Sequence, residues 1–151
     1  MFSRRKSSLS TIIKAAIEEA RLRGDRRMGT AHLLLGLLHH DESARALGID
    51  VATARAALDD LDRAALRMLG LEVGDLAKTP RKHPRIPDTA LTSGARAVLN
   101  QAIKATTAKT RDAEVPRHLT LGLLAQPQSD PAAQLLDQLQ IDRATVRSRI
   151  A

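Results

Sequence analysis

The chain has 151 residues, with 24 Lys+Arg against 17 Asp+Glu and a formal charge of +7. That length suits one compact domain or two small ones and excludes a large multidomain machine. Cysteine is absent, which excludes zinc-finger and thiol chemistry and removes any need for an oxidising compartment. The 25 Ala and 23 Leu far outnumber the 8 Ile, 5 Val and single Phe, and Tyr and Trp are missing, so helix formers abound, strand formers are scarce and an all-α protein is expected.

Apolar runs last only a few residues, against the roughly 20 needed to cross a bilayer, so no membrane association is expected. Arg4, Arg5 and Lys6 resemble the start of a signal peptide. Lys14, Glu18 and Glu19 interrupt its apolar core, however, and a cytoplasmic protein is expected.

The first helix is predicted over 9–23, where Leu9, Ile12, Ile13, Ala16, Ile17 and Ala20 form one apolar stripe. A polar turn, Gly24-Asp-Arg-Arg-Met-Gly29, follows, and Thr30 is placed to cap a second helix over 30–39 through its hydroxyl. His39-His40 has Ser43 and Ala44 at i+4 instead of a second ligand, so a solvated pair is expected and no metal site. Leu47-Gly-Ile-Asp50 and Leu69-Gly-Leu-Glu72 each read as a junction whose acid caps the next helix, with helices over 51–61 and 62–70 between them. Lys78 to Pro87 holds four cations, three prolines and no acid, a basic linker that cannot be helical throughout. Helices are predicted beyond it over 93–109, 117–125, 131–139 and 143–150. Pro116 stands at a helix start, where its missing N–H costs nothing, and Leu139-Gln-Ile-Asp142 forms a third junction.

The chain repeats itself. Thr30-Ala-His-Leu-Leu-Leu-Gly-Leu-Leu38 returns 86 residues later as Pro116-Arg-His-Leu-Thr-Leu-Gly-Leu-Leu124. The same offset carries the first apolar stripe onto Ala95, Val98, Leu99, Ala102, Ile103 and Thr106. Gly36 and Gly122 lie inside helices, where glycine costs about 1 kcal/mol relative to alanine. Close approach by another helix would offset that cost, so both are expected to be central and structural. His32 and His118 share a place on the first turn of an internal helix and read as structural histidines bonded to a neighbouring loop.

These residues resemble a known family, the N-terminal domain of the Clp unfoldases, ClpC type. In the first copy the resemblance is carried by Glu19-Ala20-Arg21, Gly24, Met28-Gly29-Thr30, His32 to Leu38 and Leu47-Gly-Ile-Asp50. In the second it is carried by Ile86-Pro87, Leu91-Thr92, Ala95, Val98-Leu99, His118-Leu119, Leu121 to Leu124 and Ile141-Asp142. The resemblance implies two tandem four-helix repeats related by a pseudo-twofold axis and joined by the basic Pro-containing linker. Repeat one would span about 8–76, the linker about 77–90 and repeat two about 91–151 of a single domain.

The family's domain receives substrates and adaptor proteins for ATPase modules behind it. The spacing Gly24-x-x-x-x-Gly29-Thr30 lacks a P-loop lysine, so no nucleotide chemistry, no cofactor and no enzyme activity are expected. The resemblance therefore implies a non-catalytic protein- or peptide-binding module, a stand-alone adaptor, decoy or sequestering protein. Its partners would be Clp substrates, adaptors, ClpC-directed cyclic peptides or a ClpC unfoldase. Relatives of the ClpC type bind phosphorylated arginine through an acid just before each motif histidine. Here Ala31 and Arg117 hold those places, which speaks against phosphoarginine. Phe2, Arg4 and Arg5 are candidate partner contacts at the N-terminus, with Ala31 and Arg117 marking the altered pockets. The alternative is a basic nucleic-acid- or anion-binding protein, since residues 1–30 carry +5 and residues 78–151 carry +6 around a block of −4.

Overall fold

A computed structural model describes residues 7–70 and 90–150. The basic linker and Glu72, read above as a cap, lie outside the described residues. Among the described residues the fold is all helical, as composition implies. The elements are α1 (Ser8–Leu22), α2 (Thr30–Leu37), α3 (Asp41–Leu47), α4 (Val51–Met68), α5 (Ser93–Lys104), α6 (Arg111–Leu124), α7 (Pro131–Gln138) and α8 (Arg143–Ile150). A single parallel bridge, Met28 to Leu91, is the extended pairing among these residues.

Most helix starts follow from one side chain. Ser7, Thr92 and Asp130 accept from backbone N–H groups at the start of α1, α5 and α7, and Asp50 accepts from Thr53 N at 2.7 Å to start α4. Asp142 accepts from Ala144 N and from the Thr145 hydroxyl at the start of α8. Gly48, with φ of 74°, ends α3 in the left-handed region, and Gln140, with φ of 56°, takes the same conformation at the matching place before α8.

Four boundaries differ from the sequence expectation. The helix α3 lies outside the sequence expectation, being short and packing only two apolar side chains, Ala44 and Leu47, on the core. Its cap is His40, whose Nδ1 accepts from Ser43 N at 3.4 Å. His39, though exposed as expected, bonds Glu19 through Nε2 at 3.1 Å, so both rings of the pair are engaged by a neighbouring side chain. The break expected after residue 61 is absent, because Val51–Met68 contains neither Gly nor Pro and its Ala, Leu and Arg content propagates one helix. Meanwhile α5 stops at Lys104 rather than 109. Thr107 and Thr110 there exchange hydroxyl and backbone N–H bonds at 3.0 and 3.3 Å, an alternative to the helical ladder.

The fourth correction concerns Pro116. It lies inside α6, which begins six residues before the predicted start at 117. A proline there denies a hydrogen bond to the carbonyl four residues earlier, that of Asp112. The Ser8 hydroxyl supplies it at 2.5 Å, and Ser8 N donates to Asp112 Oδ1 at 2.6 Å. A defect in α6 is thereby repaired by the first residue of α1.

The core is built around α2, all eight of whose residues are buried. A Cβ added at Gly36 would stand 2.6 Å from the Ile12 carbonyl oxygen and 2.9 Å from Ala16 of α1, closer than real atoms approach. At Gly122 it would meet only a Val98 methyl of α5, at 3.2 Å. Against this core lies one buried charge. Glu19 is 3% exposed, takes a forked pair of bonds from Arg55 of α4 and another from His39, and so links α1 to α4 and to the turn after α2. Burial alone would raise its carboxyl, but the hydrogen bonds and charges of Arg55 and His39 outweigh it and hold it below its ordinary value of 4.5.

Two outcomes test this packing. Gly36→Ala should lose about 2–3 kcal/mol of unfolding free energy in urea titration, because rigid backbone meets the new methyl. Gly122→Ala should change it by less than about 1 kcal/mol, since Val98 can shift and helix propensity favours alanine. Because Glu19 has a lowered folded pKa, its contribution is present above pH 4.5 and is lost as pH falls through the folded value. Glu19→Gln should therefore cost about 1–2 kcal/mol near pH 7 and flatten the acid limb of a Tm-against-pH profile.

Candidate functional site

Local chemistry first orders the turn between α1 and α2. Gly24, with φ of 75°, releases the chain from α1. Met28 N donates to the Ala90 carbonyl at 2.8 Å, and Thr92 N donates to the Met28 carbonyl at 3.0 Å. The turn is thus clamped against the segment leading into α5, with Met28 fully buried beneath it. Gly29, extended, precedes α2 and donates its N–H to His32 Nδ1 at 2.9 Å. That bond needs the lone pair on Nδ1, so the ring proton sits on Nε2 and is donated to Asp25 Oδ2 at 2.7 Å. His32, 8% exposed, therefore holds both ends of the turn.

Thr30 does not cap its own helix, a correction to the sequence reading. Gly29 takes the cap position, and the Thr30 hydroxyl instead donates to Asp130 Oδ2 at 2.8 Å and accepts from Ala132 N at 3.3 Å. Thr30 is thus part of the start of α7, 100 residues away. A Cβ at Gly94 would lie 3.4 Å from Thr30 Cγ2, so the start of α5 reaches the same place.

Where these three helix starts meet lies a cleft of about 410 Å³, lined by Asp25, Arg26, Arg27, Gly29, Ala31, His32, Thr92 and Pro131. Its charges are unequally engaged. Asp25 is bonded to His32 and lies 3.9 Å from Arg23 Nε, while Arg23 also pairs with Asp59 and Asp62 of α4. Arg26 and Arg27 are exposed and make no ion pair among the described residues. Gly29, at the cap position of α2, brings no side chain to accept from the N–H groups of the first turn, and His32 takes only the Gly29 N–H. The cleft thus presents two free guanidiniums, a committed carboxylate and a positive helix end.

The sequence-predicted residues fall in several places. Ala31 lines the cleft, 6% exposed, and brings a methyl where a carboxylate would cancel the local positive charge. Arg117 is exposed on α6, its Nη2 3.5 Å from His118 Nε2, and is not among the cleft residues. His118 is half-buried inside α6, not on a first turn, because that helix begins at Arg111. Gly36 and Gly122 serve helix crossings instead. Phe2, Arg4 and Arg5 lie outside the described residues. Asp25 and Pro131 are not among the sequence candidates, and Thr92 enters there only in the Leu91-Thr92 pair that carries the resemblance; Thr92 and Pro131 come from elements distant in sequence, with a capping position as their local signal. Arg26-Arg27 did carry one, as an adjacent basic pair in a polar turn.

If Thr30 and Asp130 act as one unit, their substitutions are coupled. Asp130→Ala should cost about 1–2 kcal/mol through loss of the α7 cap, and Thr30→Val about 1 kcal/mol. The double variant should lose less than the sum, a non-additivity measurable by urea unfolding of the four proteins.

No protein-family model matches the chain. It is similar to the probable ATP-dependent Clp protease ATP-binding subunit of Chlamydia pneumoniae, 30% identical over 158 aligned positions that take in 99% of this chain and 16% of that protein. The chain thus spans less than a fifth of that relative's length, and the likeness is to a Clp-related protein along almost all of its own residues.

Proposed function

We propose that this chain is a non-catalytic polypeptide-binding module of the kind that receives substrates and adaptors for Clp unfoldases, acting as a stand-alone adaptor, decoy or sequestering protein in Clp-dependent proteolysis. The observation that carries the reading is the similarity to a Clp ATP-binding subunit over 99% of the chain. Two tandem four-helix repeats related by a pseudo-twofold axis, α1–α4 and α5–α8, are part of the same proposal. Supporting them, Gly36 abuts Ile12 and Gly122 abuts Val98, and both members of each pair are displaced by the 86 residues of the sequence recurrence.

The polar groups of the cleft favour binding over reaction. His32 has both ring nitrogens engaged, one by a backbone N–H and one by Asp25, so neither is positioned to take a proton from a nucleophile. The hydroxyls of Thr30 and Thr92 are occupied in starting α7 and α5. Ala31 offers no carboxylate for a guanidinium, which argues against phosphoarginine as the ligand. Family-type partners, including ClpC-directed cyclic peptides and a ClpC unfoldase, belong to the proposal on the strength of the resemblance alone. The alternative, a nucleic-acid or anion binder, draws on the charge of +7, though Arg21, Arg23, Arg55, Arg63 and Arg143 are already paired with carboxylates.

Fluorescence anisotropy with a destabilised, labelled model protein, a ClpC unfoldase and a 20-base-pair duplex separates the two readings. A polypeptide or unfoldase Kd on the order of micromolar, with no ATP turnover, supports the module. Duplex binding alone, weakening steeply with salt, transfers the support to the alternative. Absence of binding to any polypeptide at about 100-fold that concentration overturns the proposal.

A further inference from the structure

We propose that the cleft between the starts of α2, α5 and α7 selects a carboxylate-bearing segment of a polypeptide, so that the ligand of this module is an acidic peptide. The inference rests on the polypeptide-binding reading above and deepens it. Its basis is the imbalance of charge around a cavity large enough for one or two side chains. Arg26 and Arg27, adjacent on the wall, have no acid partner among the described residues, and the carboxylate beside them, Asp25, is spent on the His32 Nε2–H and on Arg23. Arginine presents a planar fork that matches a carboxylate with two parallel hydrogen bonds. Ala31 and Pro131 supply apolar wall around that charge, in keeping with a peptide whose acid is flanked by aliphatic residues.

The same surroundings disfavour a nucleic acid. Arg23 ties Asp59 and Asp62 of α4 close to Asp25, and Asp130 stands at the start of α7. A phosphate backbone carries a charge every few ångströms and must lie along such an acidic margin, whereas one side-chain carboxylate need not. The described residues also contain no Phe, Tyr or Trp ring on which bases stack.

The test is an NMR titration of the full chain with two ten-residue peptides, identical except that a central Asp-Glu pair is Asn-Gln in the second, and with a 12-base-pair duplex. The acidic peptide should move the amide signals of Gly29, Ala31 and His32 and bind at least about 10-fold more tightly than its amide counterpart. Arg26→Gln/Arg27→Gln, at two exposed positions, should remove that difference without altering the fold. Ala31→Glu should weaken the acidic peptide by a similar factor, and the arginine variant keeps the test decisive if this buried change unfolds the protein. Equal affinity of both peptides for the cleft overturns the acid selectivity while leaving the polypeptide-binding reading intact. Shifts confined to other surfaces, or tighter binding of the duplex than of the acidic peptide at equal ionic strength, overturn it as well. If neither peptide binds, the inference falls, and the fate of the broader reading is then decided by the destabilised model protein.

Discussion

A helix whose every residue is buried has no face for water and must find a neighbour on all sides. That is the condition of α2, from Thr30 to Leu37, and the arrangement of the other helices answers it. Close packing inside proteins leaves little room for mismatch, so the helix can lie this deep only where backbone meets backbone. Gly36 permits this against α1, at a separation that excludes even a methyl group. Leucine cannot also satisfy the free N–H groups and polar termini that go down with the helix, and the charged and hydroxyl side chains around α2 do that instead.

The ends of the buried helix explain most of the polar architecture. At its start, His32 turns back to the Gly29 N–H, and Thr30 reaches across to Asp130. Just beyond its end, His39 meets Glu19, which Arg55 holds from α4. Each link ties α2 or its flanks to an element that local sequence does not bring near it. The two ends differ in their openness: Glu19 is closed off by packing, while the start of α2 opens onto a cleft with two unengaged arginines. The buried charge thus lies at one end of α2 and the unpaired arginines at the other.

Much of the fold was legible beforehand. Capping acids at Asp50 and Asp142, the apolar stripes of α1 and α5, and the need of Gly36 for a close neighbour are local or periodic properties, and each appears in the structure. The misreadings share a cause. Pro116 reads as a helix start because proline is costly elsewhere in a helix, yet Ser8 of α1 relieves the cost by bonding the stranded Asp112 carbonyl. Thr30 reads as a cap because threonine often is one, yet Asp130 offers its hydroxyl a different partner. Propensity was overruled by contacts from another part of the chain. The candidate site was less legible still: its basic pair belongs to a polar turn that the sequence marks, but Thr92 and Pro131, which complete the cleft, are far away in sequence.

Composition, helical period and an 86-residue recurrence thus determined that the described chain is helical and where the apolar stripes of α1 and α5 lie, because apolar spacing and capping act over a few residues at a time. Which polar groups meet was decided only by tertiary structure. Thr30 and Asp130 are 100 residues apart and Ser8 and Asp112 are 104 apart. The direction in which a hydroxyl or carboxylate finds its partner depends on how whole helices pack, and no local pattern encodes that.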